Sequence, residues 1–257
     1  MQLMEKAGAP GMTASSKFYD YVSPGLKTIR LGDYFPNLIA GDPSGCPWPH
    51  LRRDLPHIWY CDRRAGGLGV LNRDEAHILY NTALRFVGAE ALEIGCSMGW
   101  AACHMAAGGV SLDMVDPLLG TEWVRRSIME SLTAAGVMDR VRLHAAPSPE
   151  GLDALGSAGK RWSLMLIDGN HDFPQPMRDA VACERWAATS AAIVLHHVNA
   201  PTVSEGVYFL RDRGWKIRIY QTAQIMAVAW RGAVEPIDHV PDPAVALAIP
   251  EHLRAAA

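Results

Sequence analysis

The stretch 91–105, ALEIGCSMGWAACHM, contains the residues whose spacing most clearly predicts a ligand site. It reads as a buried strand ending at Glu93, a glycine turn from Gly95 to Gly99, and a helix that begins at Trp100. Glycines let the backbone approach a ligand closely, and a helix start offers unpaired N–H groups and the positive end of its dipole. Two chemistries fit. The pattern Glu93-x-Gly95-x-x-x-Gly99 is typical of a nucleotide-binding loop, and Gly95-x-Ser97-x-Gly99 matches the nucleophile elbow of a hydrolase.

Polar residues also follow other predicted strands. Asp116 follows the second strand, residues 168–172 follow the fourth, and residues 196–199 follow the fifth. Ligands of open parallel sheets bind outside the carboxyl ends of the strands, where the strand order reverses, so we expect these residues to surround one site. If the fifth strand continues that far, His196 and His197 point to opposite sides, and at most one of them faces the site.

The elements that must position these residues alternate regularly between strand and helix. Apolar, strand-like runs alternate with stretches of helical periodicity, which predicts parallel βαβ units and a doubly wound α/β sheet. The predicted strands are 91–94, 110–115, 141–144, 163–167, 191–195, 215–221 and 225–230, and the last two form an antiparallel hairpin. The predicted helices are 71–87, 100–107, 122–135, one near 150–155, 175–188 and 203–213.

The regions outside this pattern differ in composition. Residues 1–16 lack a periodic apolar face and are predicted to be a flexible leader. Residues 17–66 are rich in proline and aromatic residues, which fits either a lid that caps a substrate pocket or irregular packing against the core. Residues 67–231 form the predicted main domain, and 232–257 a C-terminal tail.

Composition narrows the class of protein. The 257 residues carry a net charge of −3, which argues against an extended surface for nucleic acid or anionic membrane. The five cysteines include no C-x-x-C pair, so they predict neither a disulfide framework nor a thiolate zinc site. The sequence has no signal-peptide pattern and no apolar run long enough to span a membrane, and we expect a cytoplasmic protein.

From about residue 67 to 230 the sequence resembles class I S-adenosylmethionine (SAM)-dependent methyltransferases. Residues 93–100 look like their first motif, Asp116 like the acid that holds the ribose hydroxyls, and 146–150 occupy the place of the adenine loop, where Ala146 and Pro147 depart from the usual small residue and Asp. The resemblance implies a Rossmann-like doubly wound sheet of seven strands, mostly parallel, with the C-terminal antiparallel hairpin. It implies SAM as cofactor and these cofactor-binding residues: Glu93, Gly95, Ser97, Gly99, Trp100, Asp116, Ser148 and Asp168.

The segment Ile167-Asp168-Gly169-Asn170-His171 is similar to the Ile-Asp-Gly-x-His segment of the macrocin O-methyltransferase and cephalosporin-hydroxylase-like subfamily. This resemblance implies that Asp168 is a metal ligand and that His171 and Asp168 are the catalytic residues, with His171 as the base. Where relatives have an acidic pair or a His-Asp pair, this chain has His196 and His197. The expected metal ligands are Asp168, His196 and His197. Mg²⁺ prefers oxygen ligands and imidazole suits transition metals, so the identity of the metal stays open.

The resemblance implies methyl transfer to a hydroxyl, less readily an amine, of a small natural-product or sugar-like acceptor, and it makes a homodimer plausible. Two alternatives stay open. The order Ser97, Asp168, His196 or His197 satisfies a hydrolase triad, although Glu93 would then have no role and no HGGG-like segment supplies the oxyanion hole. The chain could also be a SAM-binding relative that no longer transfers methyl.

Overall fold

The computed structural model describes residues 21–55, 57–65, 69–245 and 248–254; the predicted leader, 1–16, lies outside them. Within these ranges the chain forms nine strands and six α-helices. The strands are β1 (Leu38–Ala40), β2 (Tyr60–Asp62), β3 (Glu90–Ile94), β4 (Ser111–Val115), β5 (Val141–His144), β6 (Trp162–Ile167), β7 (Ala187–Leu195), β8 (Lys216–Tyr220) and β9 (Met226–Arg231). The helices are α1 (Arg73–Ala83), α2 (Trp100–Ala107), α3 (Glu122–Ala134), α4 (Glu150–Ser157), α5 (Gln175–Trp186) and α6 (Pro201–Asp212).

Seven strands form one sheet in the order β5-β4-β3-β6-β7-β9-β8. The pairs from β5 to β7 are parallel, and β9 is antiparallel to both β7 and β8. The predicted seven-stranded, mostly parallel sheet with a C-terminal antiparallel hairpin is therefore confirmed. The strand order reverses between β3 and β6, which places the expected ligand crevice at the carboxyl ends of these two strands.

Helices cover both faces of the sheet. The buried apolar residues of α1, α2 and α3 pack in one cluster, and those of α4, α5 and α6 pack in a second. Strands covered on both faces can be apolar along their whole length, which explains runs such as Leu164 to Ile167.

Several boundaries differ from the sequence prediction. The helix predicted over 71–87 spans Arg73–Ala83 and is followed by a single 3-10 turn, Leu84–Phe86. The helix predicted over 175–188 ends at Trp186, and β7 begins at Ala187 rather than at residue 191. Ala187 pairs there with Trp162 of β6, so strand pairing outweighs the helical preference of an alanine pair. The antiparallel pair of β1 and β2 was not predicted, because these strands are only three residues long and glycine and proline separate them.

The segment before α1 is fastened to that helix by polar contacts. Asp74 accepts a hydrogen bond from the backbone N–H of Ser23 at 2.8 Å, and the Asn81 side chain exchanges hydrogen bonds with the backbone of Lys27. Phe35 packs edge-on against Trp100, with ring centroids 5.1 Å apart. In the described part of the chain, no helix is both long and apolar enough to cross a membrane.

Candidate functional site

The loop after β3 is held in a conformation that requires glycine. Gly95 and Gly99 both have φ of +83°, and Ser97 has φ of +40°. A Cβ atom on Gly95 would lie 2.3 Å from the carbonyl oxygen of Asp168, so only glycine allows the loop to pass the end of β6 this closely. Gly99 precedes the first residue of α2, as the spacing predicted.

Backbone hydrogen bonds bring the carboxyl ends of four strands together. The N–H of Gly95 donates to Val115, that of Asp168 to Ile94, and that of His196 to Ile167. The side chains that follow these strands therefore border one crevice, as the positions of the polar residues predicted.

A cavity of about 580 Å³ occupies this crevice. That volume lies within the range of roughly 300–1,000 Å³ found for cofactor sites. Most of the predicted site residues line it: Glu93, Gly95, Ser97, Trp100, Asp116, Ser148, Asp168, His171 and His197. Gly99 and His196 are not among the lining residues.

Glu93 lies at the cavity wall with its side chain fully buried. Neither of its carboxylate oxygens has a hydrogen-bond partner of good geometry among the described residues. Burial, and then the nearby charges of Asp168 and Asp116, raise the pKa of Glu93 well above its usual value. An unpaired buried carboxyl at a glycine turn is the arrangement expected where a ligand supplies the missing donor.

Asp116 holds the turn after β4. Its two carboxylate oxygens accept hydrogen bonds from the backbone N–H groups of Cys96, at 2.9 Å, and Leu118, at 2.7 Å. The carboxylate therefore joins the glycine loop to the next strand end and also faces the cavity. Each oxygen has a second lone pair that remains available to a ligand hydroxyl.

Trp100 forms the side of the cavity at the start of α2. Its indole N–H donates to the carbonyl of Leu71 at 3.0 Å, which fixes the ring against the segment that precedes α1. A hydrogen-bonded ring of this kind gives the cavity a rigid apolar wall.

Asp168 lines the cavity and is also the centre of a network of charged side chains that includes buried residues outside the lining. His196 lies between two carboxylates: its Nδ1 is 3.1 Å from Asp168 Oδ1, and its Nε2 is 3.3 Å from Glu75 Oε2. Burial alone would lower the pKa of His196, but the charges of Asp168 and Glu75 raise it to about 10, so the ring is an imidazolium at neutral pH. Burial opposes the charge of Asp168 in the same way, yet His196 holds the pKa of that carboxyl below its usual value.

Glu75 is a site residue that the sequence analysis did not identify. It caps α1, where Asn72 and Glu75 form a capping box, and it also accepts from the backbone N–H of Gln224 at 2.9 Å. Burial raises the pKa of Glu75, but the His196 charge and these hydrogen bonds lower it to about 2 overall. The capping-box spacing is readable in the sequence. The contact of Glu75 with His196, more than a hundred residues further along the chain, cannot be read from the sequence.

His171 and His197 face the cavity beside Asp168. His171 Nε2 is 3.5 Å from Asp168 Oδ1, and His197 Nε2 is 3.8 Å from the same oxygen. Trp48 covers both rings, with centroids 4.2 Å from His197 and 5.3 Å from His171. Burial, and then the neighbouring histidines, lower the pKa of His197 well below its usual value, so its ring is neutral.

Of the two consecutive histidines, His197 lines the cavity and His196 does not. The prediction assumed that the strand continues through both residues, whereas β7 ends at Leu195 and His197 has φ of +59°. The ligand atoms of Asp168, His171 and His197 all lie within 4.8 Å of one another. The geometry thus groups His171 with Asp168 and His197, whereas both nitrogens of the predicted ligand His196 face carboxylates. One carboxylate and two imidazoles suit zinc or iron better than magnesium.

Ser97 has the positive φ expected of a nucleophile elbow, but it lacks a base. No histidine ring within residues 21–55, 57–65, 69–245 and 248–254 is hydrogen-bonded to its hydroxyl; the histidine nearest in sequence, His104, bonds to the carbonyl of Trp100 at 2.8 Å. The hydrolase interpretation therefore lacks the contact that a triad needs.

One protein-family model matches part of the sequence. Residues 92–198 match the model of a family described as a methyltransferase domain. No curated protein matches the sequence.

Several solved structures share the fold. The O-methyltransferase TomG from Streptomyces achromogenes, involved in tomaymycin synthesis and in complex with SAM, is 15% identical with a TM-score of 0.57, over 81% of this chain and 93% of that chain. Cofactor-bound Rv0187 from MTB is 20% identical with a TM-score of 0.55, over 63% of this chain and 81% of that one. The O-methyltransferase from Bacillus cereus in complex with SAH is 13% identical with a TM-score of 0.50, over 61% and 80%. These likenesses establish a Rossmann-like fold.

Proposed function

We propose that the protein is a SAM-dependent methyltransferase that acts on a hydroxyl of a small natural-product or sugar-like acceptor. The observation that carries this proposal is the cavity itself, in which the unpaired buried Glu93 and the Gly95 turn lie beside Asp168 and His171. The match of residues 92–198 to a methyltransferase domain model and the SAM-bound and SAH-bound structures of the same fold support it.

The residues of this chain fit the cofactor. Glu93 would accept from its ammonium group, Asp116 would accept from its ribose hydroxyls, and the N–H groups at the start of α2 would face its carboxylate. When bound, SAM supplies an electrophilic methyl carbon on a sulfonium. Gly95 allows the loop to lie close to the end of β6, since any side chain at this position would meet the backbone there.

His171 is the proposed general base. Its Nε2 faces Asp168, which favours the tautomer with the proton on Nε2 and leaves the lone pair on Nδ1. Nδ1 has no hydrogen bond among the described residues and can take the proton of the acceptor hydroxyl. Asp168, itself fixed by His196, lies 3.5 Å from His171 Nε2 and orients the ring, as the acid of a catalytic triad does.

Trp48 is proposed to exclude water from this step. It lies over His171 and His197, and Asn199 fastens the same segment by donating to the carbonyl of His50. Removing water strengthens the ion pair between Asp168 and His196, which keeps Asp168 in place beside His171. The segment around Trp48 is then the part of the chain proposed to contact the acceptor, in the role of a lid rather than of irregular packing against the core.

A divalent transition metal is compatible with the same residues. Asp168, His171 and His197 would hold it, and such an ion lowers the pKa of a bound hydroxyl. In that case His171 would be a ligand rather than the base, so metal dependence separates the two roles.

Calorimetric titration of S-adenosylhomocysteine into metal-stripped protein tests the cofactor part of the proposal. We expect micromolar binding by the wild type and by His171→Ala, and at least a tenfold loss for Asp116→Ala. Absence of binding by the wild type, with and without divalent metals, would refute the proposed function.

Turnover tests the roles of the histidines. Acceptor hydroxyl compounds are incubated with SAM, and mass spectrometry records products that gain one methyl together with the formation of S-adenosylhomocysteine. We expect His171→Ala to abolish turnover and His252→Ala, outside the cavity, to retain it. Activity that survives a chelator supports His171 as the general base. Activity that is lost with the chelator and restored only by zinc, iron or nickel supports His171 as a metal ligand.

A further inference from the structure

The cavity lining includes a group of residues that follow β4 and β5, most of them apolar. Pro117, Leu118 and Pro147 belong to this group with Ser148, and Gln175, the first residue of α5, also lines the cavity. Proline and leucine side chains offer flat apolar surface but no hydrogen bond, so any polar recognition there depends on Ser148 and Gln175.

The amide orientation of Gln175 is determined by its partners. Its Nε2 donates to the carbonyl of Ser148 at 2.7 Å and to Asp179 Oδ1 at 2.8 Å, and lies 3.3 Å from Ser148 Oγ. All three partners are oxygens, and a flipped amide would place an oxygen against oxygens. The nitrogen therefore points into the protein, and Oε1 is the atom left without a bond to the described residues.

Asp179 is the residue that makes this orientation costly to reverse. It is fully buried one turn further along α5, and its Oδ2 has no partner among the described residues. Turning Nε2 away would leave a second oxygen of this buried carboxyl unpaired. Ser148 is occupied as well, since its carbonyl already accepts from Gln175. Gln175 Oε1 is therefore a side-chain oxygen of a lining residue that is free to accept a hydrogen bond from a ligand.

We propose that Gln175 Oε1 accepts a hydrogen bond from the exocyclic amino group of the cofactor's adenine, and that the site thereby selects a 6-amino purine over a 6-oxo purine. This inference rests on the proposed function. A 6-oxo purine would place a carbonyl against Oε1, so it would lose the hydrogen bond and bring two acceptors together. Asp179 is a positioning residue that acts through Gln175.

The test compares S-adenosylhomocysteine with S-inosylhomocysteine, which differs at this position of the base. Both are titrated calorimetrically into the wild type, Gln175→Met and Arg178→Met. Arg178 lies on the same helix and pairs with Glu150 outside the cavity, so its variant is a matched control. We expect the wild type and Arg178→Met to bind the adenosyl compound about tenfold more tightly, the value of one hydrogen bond.

Gln175→Met should lose this preference by weakening the adenosyl compound alone. Equal binding of the two compounds by the wild type would overturn the inference. A preference for the adenosyl compound that Gln175→Met retains would overturn it as well. If Gln175→Met does not fold, Gln175→Leu replaces it. Binding of neither compound by the wild type would instead refute the proposed function, and the inference with it, so the two failures are distinguishable.

Discussion

Replacing Asp179 with Asn should stabilise the protein at neutral and alkaline pH. Burial raises the pKa of Asp179 from its usual 3.8 to about 6, although the Ser148 hydroxyl and the Gln175 amide partly oppose the rise. Above pH 6 the fold therefore holds an ionised carboxylate with one oxygen unpaired. Asn keeps an oxygen that accepts from Gln175 and removes the buried charge.

The magnitude follows from the pKa difference. One pKa unit corresponds to about 1.4 kcal/mol, so the difference between 3.8 and about 6 corresponds to ~3 kcal/mol. Between these two pH values the folded state binds more protons at Asp179 than the unfolded state does. The stability of the wild type contributed by this group is thus fully present below pH 3.8 and is lost as the pH rises through 6.

Urea unfolding of both proteins at several pH values between 4 and 8 measures this effect. The difference in free energy of unfolding should be near zero at pH 4 and grow to ~3 kcal/mol in favour of Asp179→Asn at pH 8. Other carboxyl groups titrate equally in both proteins and cancel. A difference that does not change with pH, or a variant less stable than the wild type at pH 8, would refute this account of Asp179.

Asp113→Asn provides the opposite case. Asp113 is also fully buried, but Arg142, Trp162 and His144 bond to it and hold its pKa below the usual value despite burial. Its contribution to stability is present above pH 3.8 and lost as the pH falls below it. Removing that charge should destabilise the protein at pH 8 by about 3 kcal/mol, because the cations around it lose their counter-ion.

Two further substitutions test the site. Gly95→Ala should lower the affinity for S-adenosylhomocysteine at least tenfold, because its Cβ would meet the backbone of Asp168. The control is Gly214→Ala, at φ of +86° with nothing near its Cβ, which should cost only about 1–2 kcal/mol of stability and leave the affinity unchanged. Equal losses of affinity in the two variants would contradict the close approach of Gly95 to Asp168. Glu75→Gln should lower the free energy of unfolding by about 3 kcal/mol, since His196 loses one of its two buried counter-ions. The control is Glu122→Gln, in an exposed pair with Arg126, which should lower the free energy of unfolding by less than about 0.5 kcal/mol. Urea unfolding gives both values, and a Glu75→Gln protein as stable as the wild type would show that the buried ion pair contributes little.

The sheet was predictable from the sequence because strands buried on both faces leave continuous apolar runs. The loop from Gly95 to Gly99 was predictable for a related reason, since its positive φ values and close approach restrict the residue type. These features depend on local chemistry, and each leaves its signature within a few consecutive residues.

The features that the sequence analysis did not identify are contacts between distant segments. Glu75 reads as a helix-capping residue, and only the structure brings it to His196. Trp48 reads as one aromatic residue among many in a proline-rich segment, and only the fold places it over His171. The start of β7 at Ala187 depends in the same way on pairing with Trp162 in another strand. Such pairings leave no periodic pattern near the residues concerned.

The distribution of charge around the cavity also indicates what it is suited to bind. Four acidic residues line it, Glu93, Asp116, Asp168 and Asp172. The cation that balances Asp168 is His196, which is not among the lining residues. Burial is the main reason that the pKa of Glu93 is raised, and the like charges of Asp168 and Asp116 raise it further. A ligand that brings positive charge would relieve this repulsion, and a ligand of negative charge would increase it. Since the ammonium and sulfonium groups of the proposed cofactor are cationic, the acidic residues of the lining favour that cofactor over a neutral or anionic nucleotide.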